Sequence, residues 1–377
     1  MSRPTSAANA PSWPAPRSGV PDPLPRVIQI IPYDGIGGVE IAAASVPAGT
    51  YDRFVFGKAF LASKSDRAAE PGRFESGRPS ENDPLAYART LRHLLAQRPA
   101  VVVASLWRSC LVAIGLKLLR PRTRIVVFLH NIRHANVVDR LVTQLAVRMA
   151  SALWADSPST AALRLGPAFA PRTRAVSFLT ARLEPVALSQ PAPRFITWGR
   201  LHPRKRIDRA VALFARVRAA RPDARFTVIG PDHGERPRLE AQAAALGIAA
   251  SVDFAGPADL PQICARSRDH AFFLQTSRFE GMGMAAVEAM QLGLVPVVTP
   301  VGEVGVYVRD GVNGLWIGED DAGAVAAVLA LLGDPPRFRA MQEAAIATWR
   351  DRPLYREEFL AACADLLDAD GGGAGRA

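Results

Sequence analysis

A loop in the second half of the chain carries two positive side chains close together. Arg200 and Lys205 lie in the segment GRLHPRKRID, directly after a short apolar run predicted to be a strand. A forked guanidinium and a compact ammonium at the end of one strand suit a diphosphate group. Lys205 is one of four lysines in the chain and the only one in its second half. The alternative is a solvated basic loop that Asp208 caps.

Two carboxylates follow, with seven residues between them. Glu280 precedes a Gly-x-Gly turn, and Glu288 falls within the helix predicted after that turn. The pair spans about 12 Å if fully helical, near the reach of a nucleotide-sugar, so one carboxylate could hold sugar hydroxyls and the other ribose hydroxyls. The turn residues Gly281, Met282 and Gly283 would offer backbone N–H groups to a pyrophosphate. The alternative is a helix-terminal charge and a partly exposed glutamate.

A Gly-rich turn, GIGGVE, follows the first predicted strand of the chain. Gly37 and Gly38 allow a ligand to approach the backbone closely. The spacing is not G-x-G-x-x-G, and no acidic ribose ligand follows a clear second strand, so the turn fails as a dinucleotide fingerprint. It is either a loop that approaches phosphate or sugar, or a tight connection between strand and helix.

Two patterns suggest metal binding only superficially. His130 ends the apolar run RIVVFLH, and His134 completes an H-x-x-x-H, but the glutamate of an HExxH site is missing. Asp368 and Asp370 form a D-x-D within a Gly-rich tail, outside any predicted strand. We therefore expect no metal. A histidine at a strand end is often only a satisfied polar residue.

Short apolar runs alternate with helical stretches along both halves, as in parallel sheets covered on both faces. Strands are predicted at 27–32, 99–107, 124–130, 151–157 and 174–179, and again at 195–199, 225–230, 252–256, 271–275 and 295–300. The alternation predicts two doubly wound α/β domains, whose ligands bind at the carboxyl ends of the strands. The predicted divisions are a disordered tail 1–25, an N-terminal domain 26–187, a C-terminal domain 193–353, a helix 354–369 that packs back toward the N-terminal domain, and a flexible tail 370–377.

Charge is distributed unevenly within a net +11. Residues 1–190 hold 24 Lys and Arg against 12 Asp and Glu, whereas the remainder is nearly neutral. A basic half suits an anionic partner, namely phospholipid headgroups or a phosphorylated substrate. Nucleic acid is not expected, because aromatic residues are only 7% of the chain and no RNA- or DNA-binding motif occurs. The alternative is a coding bias, since 42 of the 46 basic residues are arginine.

No apolar run reaches the roughly 20 residues that span a bilayer. Residues 1–25 are rich in Pro, Ser and Ala without an apolar core, so we do not expect them to be a signal peptide. The three cysteines are far apart, which predicts a reduced, cytoplasmic protein. The apolar stretch 106–119 either lies at the inner membrane face, through which the basic half would contact anionic lipid, or forms a buried crossover helix.

The second half resembles the donor domain of retaining glycosyltransferases of family 4, the group 1 glycosyltransferases with the GT-B fold. The shared pattern runs from Gly199-Arg200-Leu201 and Lys205 through F-E-G-x-G and Glu288 to D-G-x-N-G-L ending at Leu315. In the first half only GGVE and His130 match. Arg206, Met282, Met284 and the single glycine before Glu303 depart from the pattern.

The resemblance implies two Rossmann-like domains that face each other across a cleft. It also implies the transfer of a hexosyl group from a nucleotide-diphospho-sugar to a saccharide or lipid-linked acceptor, without a metal or a cofactor. Such a reaction would serve polysaccharide, lipopolysaccharide or glycolipid synthesis. Arg200 and Lys205 would bind the donor diphosphate, with Gly199 at the start of their loop. Glu280 would contact the sugar and Glu288 the ribose. The other implied donor-site residues are His130, Gly37, Gly38, Gly281, Met282 and Gly283. The alternatives are a nucleotide-sugar-binding protein, an epimerase or a phosphorylase on the same fold.

Overall fold

The computed structural model describes residues 24–35, 37–63, 71–185 and 190–368. The chain divides into two compact units, one formed by residues 1–180 with 355–377 and the other by residues 181–354. The predicted tails lie outside the described residues, apart from residues 24 and 25. None of the helices formed by the described residues combines the length and apolarity that crossing a membrane requires.

The first unit is built on a sheet of parallel strands with one antiparallel edge strand. The order is β2-β3-β1-β5-β6-β7-β8, with β4 paired to β3. The central strands are runs of Val, Ile and Ala that are buried along nearly their whole length, which is why they read as unbroken apolar segments. The strands are β1 Arg26–Asp34, β2 Gly49–Thr50, β3 Val55–Ser63, β4 Arg73–Glu75, β5 Val101–Ser105, β6 Arg124–Leu129, β7 Ala152–Ala155 and β8 Thr173–Ala175.

The helices of the first unit come from both ends of the chain. Phe359 of the last helix packs on the rings of Phe56, Phe128 and Trp154. The last helix, α13, is thus part of the first unit's core. The helices are α1 Gly38–Ala44, α2 Pro84–Gln97, α3 Leu106–Leu119, α4 Val137–Met149, α5 Pro158–Leu165 and α13 Tyr355–Asp368.

The second unit is a wholly parallel sheet in the order β11-β10-β9-β12-β13-β14. Its core packs α6 and α11 against the sheet through side chains such as Phe214 and Val328. The strands are β9 Arg194–Trp198, β10 Arg225–Ile229, β11 Val252–Gly256, β12 Phe272–Gln275, β13 Val295–Val298 and β14 Leu315–Trp316. The helices are α6 Ile207–Ala220, α7 Arg236–Ala245, α8 Leu260–Ser267, α9 Met284–Gln291, α10 Val304–Tyr307, α11 Asp321–Leu332 and α12 Pro335–Arg350.

Two sequence predictions need correction. The strand predicted at 99–107 ends at Ser105, because Leu106 takes a left-handed φ of 67° and begins α3. That helix buries one face, so the stretch 106–119 is a crossover helix. The domain boundary falls after Thr180 rather than at 188–192. The segment that follows belongs to the second unit, since Arg182 donates hydrogen bonds to the carbonyls of Arg350 and Arg352.

Candidate functional site

The loop after β9 is shaped by a contact between two glycines. Gly199 ends the strand with a φ of 137°, and its N–H donates to the carbonyl of Ile229, 2.9 Å away. Gly230, at the end of the neighbouring strand β10, lies so close that an added Cβ would stand 1.8 Å from the Gly199 carbonyl oxygen. Only glycine fits at Gly230, and this close packing sets the direction in which the Arg200–Lys205 loop leaves the sheet.

We expect Gly230→Ala to lower the free energy of unfolding by about 3 kcal/mol, because the new methyl group would push the two strand ends apart and φ is 149° at this position. Urea unfolding of the purified variant measures this. Gly318→Ala is the matched control, since a Cβ there meets nothing within 4 Å. Equal unfolding free energies for the two variants would contradict the proposed packing.

Lys205 and Glu280 meet across two loops that are tied together. The Thr276 hydroxyl donates to the carbonyl of Arg206 at 2.6 Å, and the Arg278 N–H donates to the carbonyl of Arg204 at 2.9 Å. Lys205 Nζ then donates to Glu280 Oε1 at 2.7 Å. The Ser277 hydroxyl donates to the same oxygen at 2.6 Å. The Glu280 carboxylate, only 11% exposed, is therefore held in one orientation.

Two of the three other cations of this loop, Arg200 and Arg206, differ in their surroundings. Arg200 directly follows Gly199 and is exposed, with no hydrogen bond or ion pair to any other described residue. Arg206 adopts a left-handed φ of 52° and forms an ion pair with Asp208. Glycine is the usual residue for that backbone conformation. Arg206, which departs from the family pattern, thus keeps the left-handed backbone turn and adds a charged side chain to it.

The Gly-x-Gly turn is locked against the loop before α10. Gly283 caps α9 with a φ of 71°, and a Cβ there would stand 2.5 Å from Val304 Cγ2. Gly302 passes the Glu280 carbonyl so closely that its Cβ would stand 2.0 Å from that oxygen. The Tyr307 hydroxyl donates to the carbonyl of Met282 at 2.9 Å. The segment with the single glycine before Glu303 therefore supports the turn.

Glu288 reaches the same end of the sheet from inside α9. Trp198, the last residue of β9, donates its indole N–H to Glu288 Oε2 at 2.7 Å. Burial raises the pKa of the Glu288 carboxyl to about 7, while the Trp198 hydrogen bond and the positive charge of Lys205 oppose part of that rise. Lys205 thus interacts with both predicted carboxylates. The structure brings Lys205, Glu280 and Glu288 together, whereas Arg200 shares the loop of Lys205 without contacting them. The roles of all four residues remain predictions.

The raised pKa of Glu288 predicts a specific dependence of stability on pH. Between pH 4.5 and 7 the folded protein holds a proton that the unfolded chain releases, so this group lowers stability as pH rises through that window. We expect the free energy of unfolding of wild type, relative to Glu288→Gln, to fall by at most about 3 kcal/mol from pH 4.5 to pH 8. Urea unfolding at several pH values measures the difference. A constant difference would contradict the raised pKa.

Gln275 is a candidate site residue that the sequence pattern did not reveal. It ends β12 and is buried, and its amide Nε2 has no hydrogen-bond partner among the described residues. A Cβ at Gly283 would stand 3.8 Å from that nitrogen, so the unused donor lies beside the turn that begins α9. A buried donor without a partner is costly unless a ligand or water uses it. The sequence offered only a polar residue at the end of an apolar strand.

The predicted residues of the first unit also lie at strand ends. Gly37 precedes α1, and a Cβ there would stand 2.2 Å from Glu40 Oε2, so the carboxylate occupies the space that a side chain would need. Gly38 is the first residue of α1. His130 follows β6, packs 4.2 Å from the Phe128 ring, and has no hydrogen-bond partner for either ring nitrogen among the described residues. Burial lowers the pKa of its imidazole to about 3, which keeps it neutral.

The described residues contain no group of three or more His, Cys, Asp or Glu side chains that could hold a metal ion. Asp368 of the D-x-D pattern forms an ion pair with Arg53, whereas Asp370 lies outside the described residues. The expectation of a metal-free site remains a prediction.

Solved structures share the architecture over nearly the whole chain. Alr3699/HepE of Anabaena, in complex with UDP and glucose, aligns with a TM-score of 0.73 over 90% of this chain and 99% of its own, at 19% identity. Sucrose-phosphate synthase of Thermosynechococcus elongatus aligns with a TM-score of 0.70 over 93% and 100%, at 18% identity. This likeness confirms the predicted fold class, the GT-B architecture of two Rossmann-like α/β domains.

Sequence comparison finds its matches mainly in the second unit. Residues 183–348 match the family model described as Glycosyl transferases group 1. GDP-mannose:cellobiosyl-diphosphopolyprenol alpha-mannosyltransferase of Komagataeibacter xylinus is 30% identical over 177 residues, 45% of each chain. D-inositol 3-phosphate glycosyltransferase of Acidothermus cellulolyticus is 32% identical over 157 residues, 40% of this chain and 35% of its own. The chain thus matches less than half the length of these curated relatives.

Proposed function

We propose that the protein is a retaining glycosyltransferase that moves a hexosyl group from a nucleotide-diphospho-sugar to a saccharide or lipid-linked acceptor without a metal ion. The observation that carries the proposal is the contact of Lys205 with Glu280 at the strand ends, within electrostatic reach of Glu288 and in the loop that also holds Arg200. The family match of residues 183–348 supports the same reaction class.

The cationic pair would stabilise the leaving group. Cleavage of the glycosyl–phosphate bond develops negative charge on the diphosphate, and fixed positive groups aimed at it lower the barrier. Arg200 is exposed and can turn its fork toward two phosphate oxygens. Lys205 has further ammonium protons beyond the one given to Glu280. Together they would replace the cation that other transferases use.

The carboxylates would hold the two sugars of the donor. Glu280 has one oxygen engaged by Lys205 and Ser277, which leaves its other oxygen to accept from a hydroxyl of the transferred sugar. Glu288 would accept from the ribose hydroxyls, and the unused Gln275 amide would donate to an oxygen of the donor near the α9 turn. His130 would act as a neutral hydrogen-bonding group near the sugar, since its imidazole is uncharged at physiological pH.

Retention of configuration would follow from attack on the same face from which the diphosphate leaves. Glu280 is a poor covalent nucleophile, because a carboxylate oxygen that accepts from an ammonium and a hydroxyl loses much of its reactivity. The leaving phosphate would instead accept the proton of the acceptor hydroxyl. Held next to each other on that face, donor and acceptor gain the entropic advantage of a preassembled reaction.

The relatives narrow the substrates to be tried. One is named for GDP-mannose and a cellobiosyl-diphosphopolyprenol acceptor, and others for D-inositol 3-phosphate. These names favour a phosphate-bearing acceptor, which suits the basic first half and synthesis of a polysaccharide, lipopolysaccharide or glycolipid. A lipid-linked acceptor would place the enzyme in peripheral contact with an anionic membrane.

A donor screen by mass spectrometry tests the proposal. The full chain is incubated with UDP-, GDP- and ADP-sugars and with soluble saccharide, inositol phosphate and polyprenyl diphosphate acceptors. We expect one nucleotide-sugar to be consumed with formation of a glycosylated acceptor. Binding without turnover would support a nucleotide-sugar-binding protein, and donor isomerisation without transfer would support an epimerase. Either result would overturn the transferase assignment.

A further inference from the structure

The outer face of α4 carries branched apolar side chains that the first unit leaves exposed. Val137 is 72% and Leu141 is 61% exposed, and Val138 and Leu145 are exposed as well. The residues that α4 buries are Asp139, Thr143, Ala146 and Val147. At 3.6 residues per turn, the exposed apolar residues fall on the opposite side of the helix. A helix with apolar residues on its solvent side indicates a surface that contacts something else.

The neighbouring helix extends this surface. α3 packs against α4, and it exposes Leu111 and Leu118, two turns apart on one face. Leu118 is 69% exposed. We call the following six exposed apolar side chains of the two helices the α3–α4 surface: Leu111, Leu118, Val137, Val138, Leu141 and Leu145.

The stretch of chain that contains this surface exposes charges of one sign. Residues 98–174 contain 12 Lys and Arg and only two acidic residues. Those two, Asp139 and Asp156, are buried, so every exposed charged side chain in this part of the chain is basic. Arg140 and Arg148 lie on α4 itself and are exposed. An apolar stripe flanked by arginines is complementary to a leaflet of anionic lipid.

We propose that the α3–α4 surface docks onto a membrane leaflet that contains anionic phospholipid. The apolar side chains would enter the boundary between headgroups and acyl chains, and the arginines would meet the phosphates. A second copy of this chain is a poorer occupant, because two such surfaces would bring arginine against arginine. α4 begins at Val137, seven residues after His130, at the edge of the sheet where ligands bind. A docked leaflet would thus lie near the strand ends at which the first unit would bind the acceptor. This link between membrane docking and sugar transfer rests on the proposed function.

Vesicle flotation of the full chain tests the apolar part of the surface. We expect the protein to float with phosphatidylcholine vesicles that contain phosphatidylglycerol and to remain behind with phosphatidylcholine alone. Leu141→Gln with Leu145→Gln should lower the vesicle-bound fraction about tenfold or more. Leu246→Gln with Val312→Gln, which changes two similarly exposed apolar residues of the second unit, should float like wild type.

A second pair of variants tests the charges. Arg140→Glu with Arg148→Glu should lower binding to the anionic vesicles about tenfold or more, because each arginine near a leaflet contributes about fivefold in affinity. Arg216→Glu with Arg339→Glu changes the net charge equally, at exposed positions of the second unit, and should have little effect.

Three results would overturn the inference. These are no flotation of wild type, equal flotation with neutral vesicles, or a dimer in solution that only the Leu141 and Leu145 changes dissociate. Because flotation needs no donor, a protein that floats but transfers no sugar would refute the proposed function and leave the membrane surface standing.

Discussion

Lys205→Ala is expected to lower kcat/KM for sugar transfer about 10³-fold or more. One fixed donor to a developing negative charge is worth about 10²- to 10³-fold, and the loss of orientation at Glu280 adds to that effect. The substitution also removes the partner that orients the Glu280 carboxylate, 2.7 Å away. Steady-state kinetics on the donor identified by the screen measure the loss. Most of it should appear in kcat, since charge on the leaving diphosphate is greatest in the transition state.

Arg204→Ala is the matched control for this change. Arg204 is an exposed cation adjacent to Lys205, and its side chain makes no hydrogen bond to the other described residues. The control should keep at least half of the wild-type kcat/KM, which corresponds to less than about 0.4 kcal/mol in barrier height. Equal losses in the two variants would mean that overall positive charge matters and not the position of Lys205.

Glu280→Gln is expected to lower kcat about 10²-fold or more, with the protein still folded. The amide keeps the shape and can still accept from the Ser277 hydroxyl, but it removes the negative charge that Lys205 contacts. Kinetics together with urea unfolding separate lost chemistry from lost folding. Glu319→Gln, at an exposed position of the same unit, is the control.

The two variants combined give a sharper test. If Lys205 and Glu280 act as one unit, Lys205→Ala with Glu280→Gln should be little worse than Lys205→Ala alone, because the interaction is already broken. Effects that multiply in full would show that the two side chains act independently and would contradict the significance given to their contact.

The sequence predicted the elements of the second unit well because its strands are short runs of apolar residues with glycines at their ends. Gly247 and Gly293 end helices with left-handed φ values of 70° and 80°, as expected for such stops. The meeting of Lys205 with Glu280 and Glu288 was predictable from strand order, since parallel strands bring their carboxyl ends to one edge.

Contacts between distant segments were not predictable in the same way. No local pattern indicates that Gly230 must accommodate the Gly199 carbonyl, or that Trp198 donates to Glu288. The unused amide of Gln275 and the raised pKa of Glu288 depend on burial, which only the assembled sheet determines. The single domain boundary predicted at 188–192 was placed too late, because the hydrogen bonds of Arg182 with the carbonyls of Arg350 and Arg352, at the end of α12, leave no trace in local composition.

In the first unit, secondary-structure elements themselves were missed. Its β3 strand, VFGKAFLAS, includes a glycine and a lysine that interrupt the apolar run, and the sequence pattern did not predict it. The apolar outer face of α4 was also missed, because a periodic pattern of Val and Leu indicates a helix without telling which side faces the core. Only the burial of Asp139 and Thr143 reveals that the apolar stripe points outward.

Isothermal titration of nucleotide-diphospho-sugars into wild type and into Arg200→Ala with Lys205→Ala is the sharpest test of whether these two cations bind the donor diphosphate. We expect saturable binding of at least one UDP-, GDP- or ADP-sugar to wild type, weakened about tenfold or more in the double variant because two charge-assisted contacts to the diphosphate are lost. The Arg204→Ala protein should bind like wild type. Tight binding that survives loss of both cations, or no binding of any nucleotide-sugar to wild type, would contradict the proposed role of the two cations.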